Sequence, residues 1–248
     1  MKLLLIISLF ATMSLFGSTI RVGVASNMSY AIDELKREFY KTHKDIKVQT
    51  ILGGTGKLST QIRNHAPYDM LMGADMFYVT SLYKDGYAST KPVVYAQGSL
   101  ACLSGKKYDF SDIKKLLLDK GIKKIALANP KTAPYGKASV ELLKNMKLFD
   151  KLKTKFVYAE SISQTFTYAI RVADVGFVAK SLLFSPKMKY LKEGVNWVEV
   201  DSKLYTPINQ GMVILKSTKN VDAVKAFYEF MLSKDARVIL KRYGYILP

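Results

Sequence analysis

Four short stretches of the sequence combine small residues, hydroxyls and glycine in the manner of anion-binding loops. Each follows an apolar, strand-like run and precedes a helix-like run. The first N–H groups of a helix have no acceptor within that helix, and the helix dipole places partial positive charge there, so such termini bind anions readily. Four of them facing one cleft would hold a tetrahedral oxyanion without any lysine or arginine. The stretches are residues 25–27, 53–57, 129–136 and 159–163.

Each stretch also has a simpler interpretation. Serine, threonine and asparagine are common helix N-caps, so Ser26, Asn27, Thr55 and Ser161 could do no more than begin helices. The glycines around Thr55 could serve only as turn residues with positive φ. The same loop is similar to a phosphate-binding P-loop, but leucine, not serine or threonine, follows Lys57. ATP hydrolysis through this motif is therefore not expected.

The remaining reactive residue types do not predict an enzyme. A single cysteine excludes an internal disulfide, and two histidines make a histidine-based metal site improbable. Cys102 lies within an apolar run, which favours a buried, inert thiol, and neither His43 nor His65 has the surroundings of a catalytic base. Asp69 and Asp75 could flank a cleft, although Asp75 is better explained as a helix N-cap. We expect no catalytic residue, no cofactor and no direct protein–metal ligand.

The formal net charge of +18 raises the question of a nucleic-acid partner. The 38 basic residues are scattered along predicted helix faces. Their local clusters lack the aromatic lattice or zinc-finger signature of known nucleic-acid-binding modules. A solvated basic surface is the favoured interpretation, and we expect no nucleic-acid partner.

The elements that must position the four stretches alternate along the chain. Short apolar runs are separated by helical patterns of 10–15 residues, which indicates parallel βαβ units in doubly wound sheets. The number of strands and the two sets of helices suit two α/β lobes with a cleft between them. In such sheets ligands bind beyond the carboxyl ends of the strands. The strands are predicted at 19–25, 46–52, 69–72, 99–103, 124–128, 155–158, 175–178 and 211–215.

The N-terminus has the pattern of a secretory signal peptide. Lys2 is followed by an uncharged apolar run that is too short for a comfortable membrane span. A buried N-terminal strand is the alternative. We predict a signal peptide over 1–17, one lobe from 18–95 together with 208–248, and a second lobe from 96–207. The chain is expected to cross between the lobes near 94–98 and 206–210.

Six longer stretches, each weak alone, are specific in combination. They are VASNMSYAIDELKREFYKTH, GGTGKLSTQI, APYDMLMGADMFYVTSLYKDG, the segment NP..APYGKASVELL, YAESISQTFTYA and FYEFMLSKDARVILKRYGYIL. Together they run from about Val22 to the C-terminus. In these stretches the chain resembles the periplasmic molybdate-binding proteins, which are the soluble receptors of ABC importers for molybdate and tungstate. The resemblance implies a type II periplasmic binding protein, with two doubly wound α/β lobes joined by two crossover strands.

The resemblance also implies which residues bind the ligand. The family's first-strand serine falls on Ser26, and its second serine falls on Thr55, which keeps a hydroxyl and a backbone donor. The backbone donor of the Pro-x-Gly turn falls on Tyr135, whose side chain could equally belong to the core. The donor after the Ala-Glu pair falls on Ile162. We therefore expect Ser26, Thr55, Tyr135 and Ile162 to bind the oxyanion.

One position departs from the family pattern. Many members have a ligand-bonding tyrosine where this chain has Ala179. Tyr158, Ser163, Tyr168 or Lys180 could compensate for the missing hydroxyl, and spacing does not choose among them.

As a whole, the resemblance implies a periplasmic receptor rather than an enzyme. It would capture molybdate or tungstate and deliver the anion to the membrane permease of an ABC importer. We expect a monomer that binds molybdenum only as the oxyanion. The alternative within this class is a receptor for another tetrahedral oxyanion, such as sulfate or chromate.

Overall fold

The computed structural model describes residues 17–248, so the predicted signal peptide lies outside the described residues except for Gly17. The strands are β1 (Ser18–Ala25), β2 (Ile46–Gly53), β3 (Met70–Met72), β4 (Val93–Gly98), β5 (Leu100–Leu103), β6 (Ile125–Ala128), β7 (Phe156–Ala159), β8 (Val175–Ala179), β9 (Trp197–Glu199) and β10 (Ile208–Ile214). The α-helices are α1 (Ala31–Phe39), α2 (Thr55–Arg63), α3 (Met76–Lys84), α4 (Ile113–Leu118), α5 (Pro134–Asn145), α6 (Phe149–Leu152), α7 (Ile162–Arg171), α8 (Val221–Leu232) and α9 (Lys234–Arg242).

The first lobe is built on a five-stranded sheet with the order β2-β1-β3-β10-β4. Strands β1, β2 and β3 are parallel, whereas β10 runs antiparallel to β3 and β4. In the β1–β2 register Ala25 lies opposite Gly53, the last residue of each strand. The chain segments that follow these two strands therefore leave the sheet side by side.

The second lobe repeats this arrangement with the strand order β7-β6-β8-β5-β9. Strand β6 is parallel to β7 and β8, and β5 is antiparallel to β8 and β9. Ala128 lies opposite Ala159, again at the carboxyl ends of parallel strands. Cys102 lies in β5, fully buried, as its apolar context predicts.

Apolar side chains at helical or strand spacing form the cores of both lobes. In α1, Ile32, Leu35 and Phe39 are buried against the first sheet. Buried Val224 and Phe227 of α8 join the same core, in keeping with the i, i+3 pattern of that helix. A separate, larger apolar cluster fills the second lobe.

The chain passes between the sheets at two neighbouring points. Strand β4 ends at Gly98 and β5 begins at Leu100, so a single residue, Ser99, separates the sheets there. The return passage precedes β10, and Ile208 of that strand pairs with Gly98. The two passages therefore lie next to each other, which is the arrangement of a two-stranded hinge.

Two features differ from the sequence-based expectations. The helical spacing of Met28, Ala31, Ile32, Leu35 and Phe39 predicts a helix over 29–42, but a short 3₁₀ turn (Ser26–Met28) precedes α1, which ends at Phe39. The turn is closed by the Ser29 N–H, which donates to Ser26 O, so the chain changes direction before the α-helix begins. Strand β9 was not predicted, because its three residues are too few for a periodic pattern. Within residues 17–248, no helix has the length and hydropathy needed to cross a membrane.

Candidate functional site

The first lobe contributes two hydroxyl-bearing residues at adjacent strand ends. Ser26 follows β1, and Thr55 is the first residue of α2, just after β2. Both side chains are buried, with exposed fractions of 3% and 1%. The N–H of Ala74 donates to Thr55 Oγ1 at 3.0 Å, so the threonine proton is free to point elsewhere. Ser26 Oγ has no hydrogen-bond partner among residues 17–248.

The second lobe contributes backbone N–H groups at two helix starts. Tyr135 follows Pro134 in the first turn of α5, and Ile162 is the first residue of α7. N–H groups at these positions have no acceptor within their own helix. The Tyr135 ring is fully buried, and this burial raises the pKa of its hydroxyl well above the ordinary value.

These helix starts meet at one small cavity between the lobes. The structure brings the four residues predicted from the sequence together there. None of the lining side chains is ionised at neutral pH, and each lobe offers hydroxyl or N–H donors. The cavity is lined by Ala25, Ser26, Asn27, Gly53, Gly54, Thr55, Ala74, Ala133, Pro134, Tyr135 and Ile162.

The N-cap interpretation holds at only one of the four helix starts. Ser161 accepts a hydrogen bond from the Gln164 N–H at 3.3 Å and caps α7. Thr55 lies one position inside α2, where Gly54 is the N-cap residue and provides no side chain. The Ser26 turn and α5 also lack a side-chain cap. No side chain therefore caps the N–H groups at these three starts.

The glycines of the loop before α2 allow the lobes to approach each other. None of them has a positive φ, so the turn interpretation is wrong for this loop. The Gly56 N–H donates to Thr132 O of the other lobe at 2.9 Å. A Cβ atom on Gly56 would lie 2.9 Å from that oxygen and 2.7 Å from the Tyr78 hydroxyl, which itself donates to Lys131 O at 3.1 Å. A side chain at Gly56 would hold the lobes apart.

Lys57 does not contribute to the cavity. Its Nζ lies 3.5 Å from Glu160 Oε2 in an ion pair across the lobes, and both side chains are largely exposed. The phosphate-loop interpretation, in which Lys57 would contact the anion directly, has no support in this geometry.

The four candidates to replace the family's tyrosine lie outside the cavity lining, as does Ala179, which pairs with Leu100 in the sheet. Tyr158 is about half exposed, and Tyr168 OH accepts from Gln164 Nε2. Ser163 Oγ is bonded to Ser161 Oγ, and Lys180 pairs with Glu199. None of these groups replaces the missing hydroxyl in this structure.

A larger cavity of about 290 Å³ lies beside the first and is chemically different. Its lining includes Asp75, Lys137 and Glu141. Asp75 caps α3 by accepting from the Tyr78 N–H, as predicted, and burial raises the pKa of its carboxyl group. Carboxylates repel a dianion, so the small uncharged cavity is the better anion site. The described residues contain no cluster of three metal-ligating side chains.

Sequence reasoning missed a buried polar network behind the cavity. Asn27 was noted only as a capping candidate, and Gln210 only as the end of a predicted crossing between the lobes. Asn27 Nδ2 donates to Gln210 Oε1 at 2.9 Å, and Gln210 Nε2 donates to the Tyr135 hydroxyl at 3.2 Å. These contacts join residues 183 and 75 positions apart, so no local pattern reveals them.

A family profile described as bacterial extracellular solute-binding protein matches residues 20–246. The chain belongs to this family. Its membership agrees with the cavity of uncharged residues between two lobes and with the type II fold expected from the sequence.

Two relatives and one solved structure are closely similar to this member of the family. The molybdate-binding protein ModA of Azotobacter vinelandii is 34% identical over 228 residues, covering 91% of this chain and 89% of that protein. Molybdate-binding protein ModA of Rhodobacter capsulatus is 34% identical over 196 residues, covering 78% and 75% respectively. The solved structure of the A. vinelandii periplasmic molybdate-binding protein matches with a TM-score of 0.86 at 31% identity, covering 92% of this chain and 99% of that chain. The resemblance seen in the sequence motifs is thereby confirmed.

Proposed function

We propose that this solute-binding protein captures molybdate or tungstate between its lobes and delivers the anion to the permease of an ABC importer. Ser26 and Thr55 would donate from the first lobe through hydroxyl and N–H groups. Tyr135 and Ile162 would donate from the second lobe through backbone N–H groups. The names of the similar proteins support the choice of oxyanion.

One observation carries the proposal. Ser26 exposes only 3% of its surface, and its Oγ has no hydrogen-bond partner among residues 17–248. A buried hydroxyl without a partner costs about 1–3 kcal/mol. An anion in the cavity would accept its proton and remove that cost.

The donor set suits a fully deprotonated dianion. Molybdate, tungstate and sulfate carry no proton near pH 7 and only accept hydrogen bonds, which hydroxyl and N–H groups supply. Bonds to a charged acceptor are roughly twice as strong as neutral ones, so a few donors suffice.

The proposal extends to location and partners. Residues 1–17 would direct export to the periplasm and be removed. The mature protein would act as a monomer without catalytic activity or cofactor, and without a nucleic-acid partner. Its one macromolecular partner would be the importer's membrane permease.

Isothermal titration of residues 18–248 with molybdate, tungstate, sulfate and chromate tests the choice of ligand. We expect one site per chain for molybdate and tungstate, with sulfate at least about tenfold weaker, a difference of about 1.4 kcal/mol. Equal or tighter sulfate binding would replace molybdate with sulfate as the ligand. Failure of all four anions to bind, or to raise the melting temperature, would refute an oxyanion receptor.

A further inference from the structure

Gln210 occupies an unusual place in the hinge. It lies in β10, beside the passage between the lobes, where the pairing with β4 shifts register between Gln210 and Gly211. The residue is fully buried. Buried amides are stabilised only when their polar atoms are hydrogen-bonded, so the partners of Gln210 decide whether its position is favourable.

Those partners come from both lobes. On the first-lobe side, Gln210 Oε1 accepts from Asn27 Nδ2 at 2.9 Å and from the Tyr95 hydroxyl at 3.0 Å. On the second-lobe side, Gln210 Nε2 donates to the Tyr135 hydroxyl at 3.2 Å. Asn27 follows Ser26 directly, and Tyr135 carries a proposed N–H donor. One side chain therefore reaches residues on both sides of the anion cavity.

The surrounding backbone leaves room for this contact. A Cβ atom on Gly98, opposite Ile208 in the hinge, would lie 1.9 Å from the Tyr135 hydroxyl and 2.8 Å from Gln210 Nε2. Nearby, Ser181 Oγ of the second lobe donates to Asn27 O at 3.0 Å. Asn27, next to the cavity, is thus bonded to Ser181 of the second lobe as well as to Gln210 of its own lobe.

We infer that Gln210 is a positioning residue that couples lobe closure to assembly of the anion site. Separation of the lobes would break the bond from Nε2 to Tyr135 while the bonds to Asn27 and Tyr95 persist. Closure restores that bond and, in the same movement, brings the Tyr135 N–H to the cavity. The inference rests on the proposed function, because it takes the ligand to be an oxyanion that is bound in part by the Tyr135 N–H.

Two matched variants separate coupling from general stability. Tyr135→Phe removes the acceptor of Gln210 Nε2 across the lobes and keeps the backbone N–H. Tyr95→Phe removes a hydrogen bond to the same glutamine within the first lobe. Both residues are buried tyrosines, so both variants should lower the melting temperature. We expect Tyr135→Phe to weaken binding of the tightest of the four oxyanions about five- to twentyfold, and Tyr95→Phe less than about threefold.

A double-mutant cycle with Gln210→Met isolates the contact. If the two side chains act through one bond, the affinity of Gln210→Met/Tyr135→Phe should equal that of Gln210→Met alone within about twofold. Equal losses for the two tyrosine variants, or additive losses in the cycle, would overturn the inference. If Tyr135→Phe does not fold, the anion affinities of Gln210→Met and Tyr95→Phe are compared instead. The inference predicts weaker binding by Gln210→Met, and similar affinities for these two variants would overturn it.

The two proposals fail in different ways. Wild-type preference for sulfate or chromate would refute the molybdate assignment, and the cycle would then be measured with that anion. Binding of none of the four anions would remove the basis of both. X-ray scattering gives a second readout: at equal anion concentration, Tyr135→Phe should show a larger radius of gyration than Tyr95→Phe, and equal radii would contradict the coupling.

Discussion

The unpartnered hydroxyl of Ser26 has opposite effects on stability and on binding. Without an acceptor it contributes nothing to folding and costs the desolvation of a buried polar group. We expect Ser26→Ala to leave the free energy of unfolding unchanged or to raise it by about 1 kcal/mol, while anion affinity falls about ten- to a hundredfold. Urea unfolding and titration on the same preparation check this. A large loss of stability would mean that the hydroxyl has a structural partner.

Thr55 and Lys57 distinguish neutral donors from a charged contact. Thr55→Ala removes the proposed donor to the anion and the acceptor of the Ala74 N–H. Affinity should fall about ten- to a hundredfold, since bonds to charged groups contribute about 1.5–3 kcal/mol. Lys57→Ala removes only an exposed ion pair with Glu160 and should cost less than about threefold. Dissociation constants at one ionic strength decide, and a larger loss for Lys57→Ala would refute the neutral-donor mechanism.

The pH dependence of binding follows from the same side chains. Among the described residues that line the cavity, Tyr135 is the only titratable one, and burial raises its pKa well above the usual value near 10. It therefore stays neutral at every pH below that value, and molybdate stays fully deprotonated near neutrality. We expect molybdate affinity to change by less than about twofold between about pH 6.5 and pH 8.5. A tenfold change in titrations at constant ionic strength would indicate a titrating group at the site.

At the scale of elements, the loop before α2 lets the lobes approach each other because Gly56 has no side chain. Gly56→Ala would place a Cβ atom against Thr132 O of the opposite lobe, so closure should be blocked. We expect affinity to fall at least about tenfold with little change in the melting temperature. Gly23→Ala, whose Cβ atom would meet only ordinary contacts beginning at 3.4 Å, is the control and should bind normally. Normal binding by Gly56→Ala would show that closure tolerates a methyl group there.

The sequence predicted the elements well because their signals are local. Apolar runs located eight of the strands, and the face of α8 was readable from Val224 and Phe227. The starts of the helices could also be predicted from the sequence, but the role of each residue at those starts could not. A shift of one position separates the capping role of Ser161 from the first-turn position of Thr55. The role of Gly56 depends on Thr132 of the other lobe, which no pattern around Gly56 contains.

At the scale of the whole molecule, the long-range attraction of the anion and its binding in the cavity depend on different groups. Among residues 17–248 no charged side chain is buried, and the cavity lining is uncharged. Long-range attraction of a dianion is screened by salt over about 8 Å at physiological ionic strength. Fixed N–H and O–H dipoles inside the cavity are screened much less. Salt should therefore slow capture of the anion more than it speeds its release.

The thiol of Cys102 can report when the second sheet opens. It lies in β5 between Phe177 of β8 and Val198 of β9, and burial raises its pKa to about 12. The thiolate is the reactive form, so a thiol reagent can modify Cys102 only in molecules whose second sheet has opened. Since the chain has one cysteine, every modified thiol counts one such opening.

An anion that bridges the lobes should therefore protect a thiol that it never touches. At an anion concentration about 100 times the dissociation constant, the native state gains about 2.7 kcal/mol, so labelling should slow about a hundredfold. Rates measured with a chromogenic disulfide, with and without molybdate, test this. Unchanged labelling would mean that the second lobe opens without releasing its ligand. The labelling rate of the buried thiol would thus measure the lifetime of the closed, anion-bound protein.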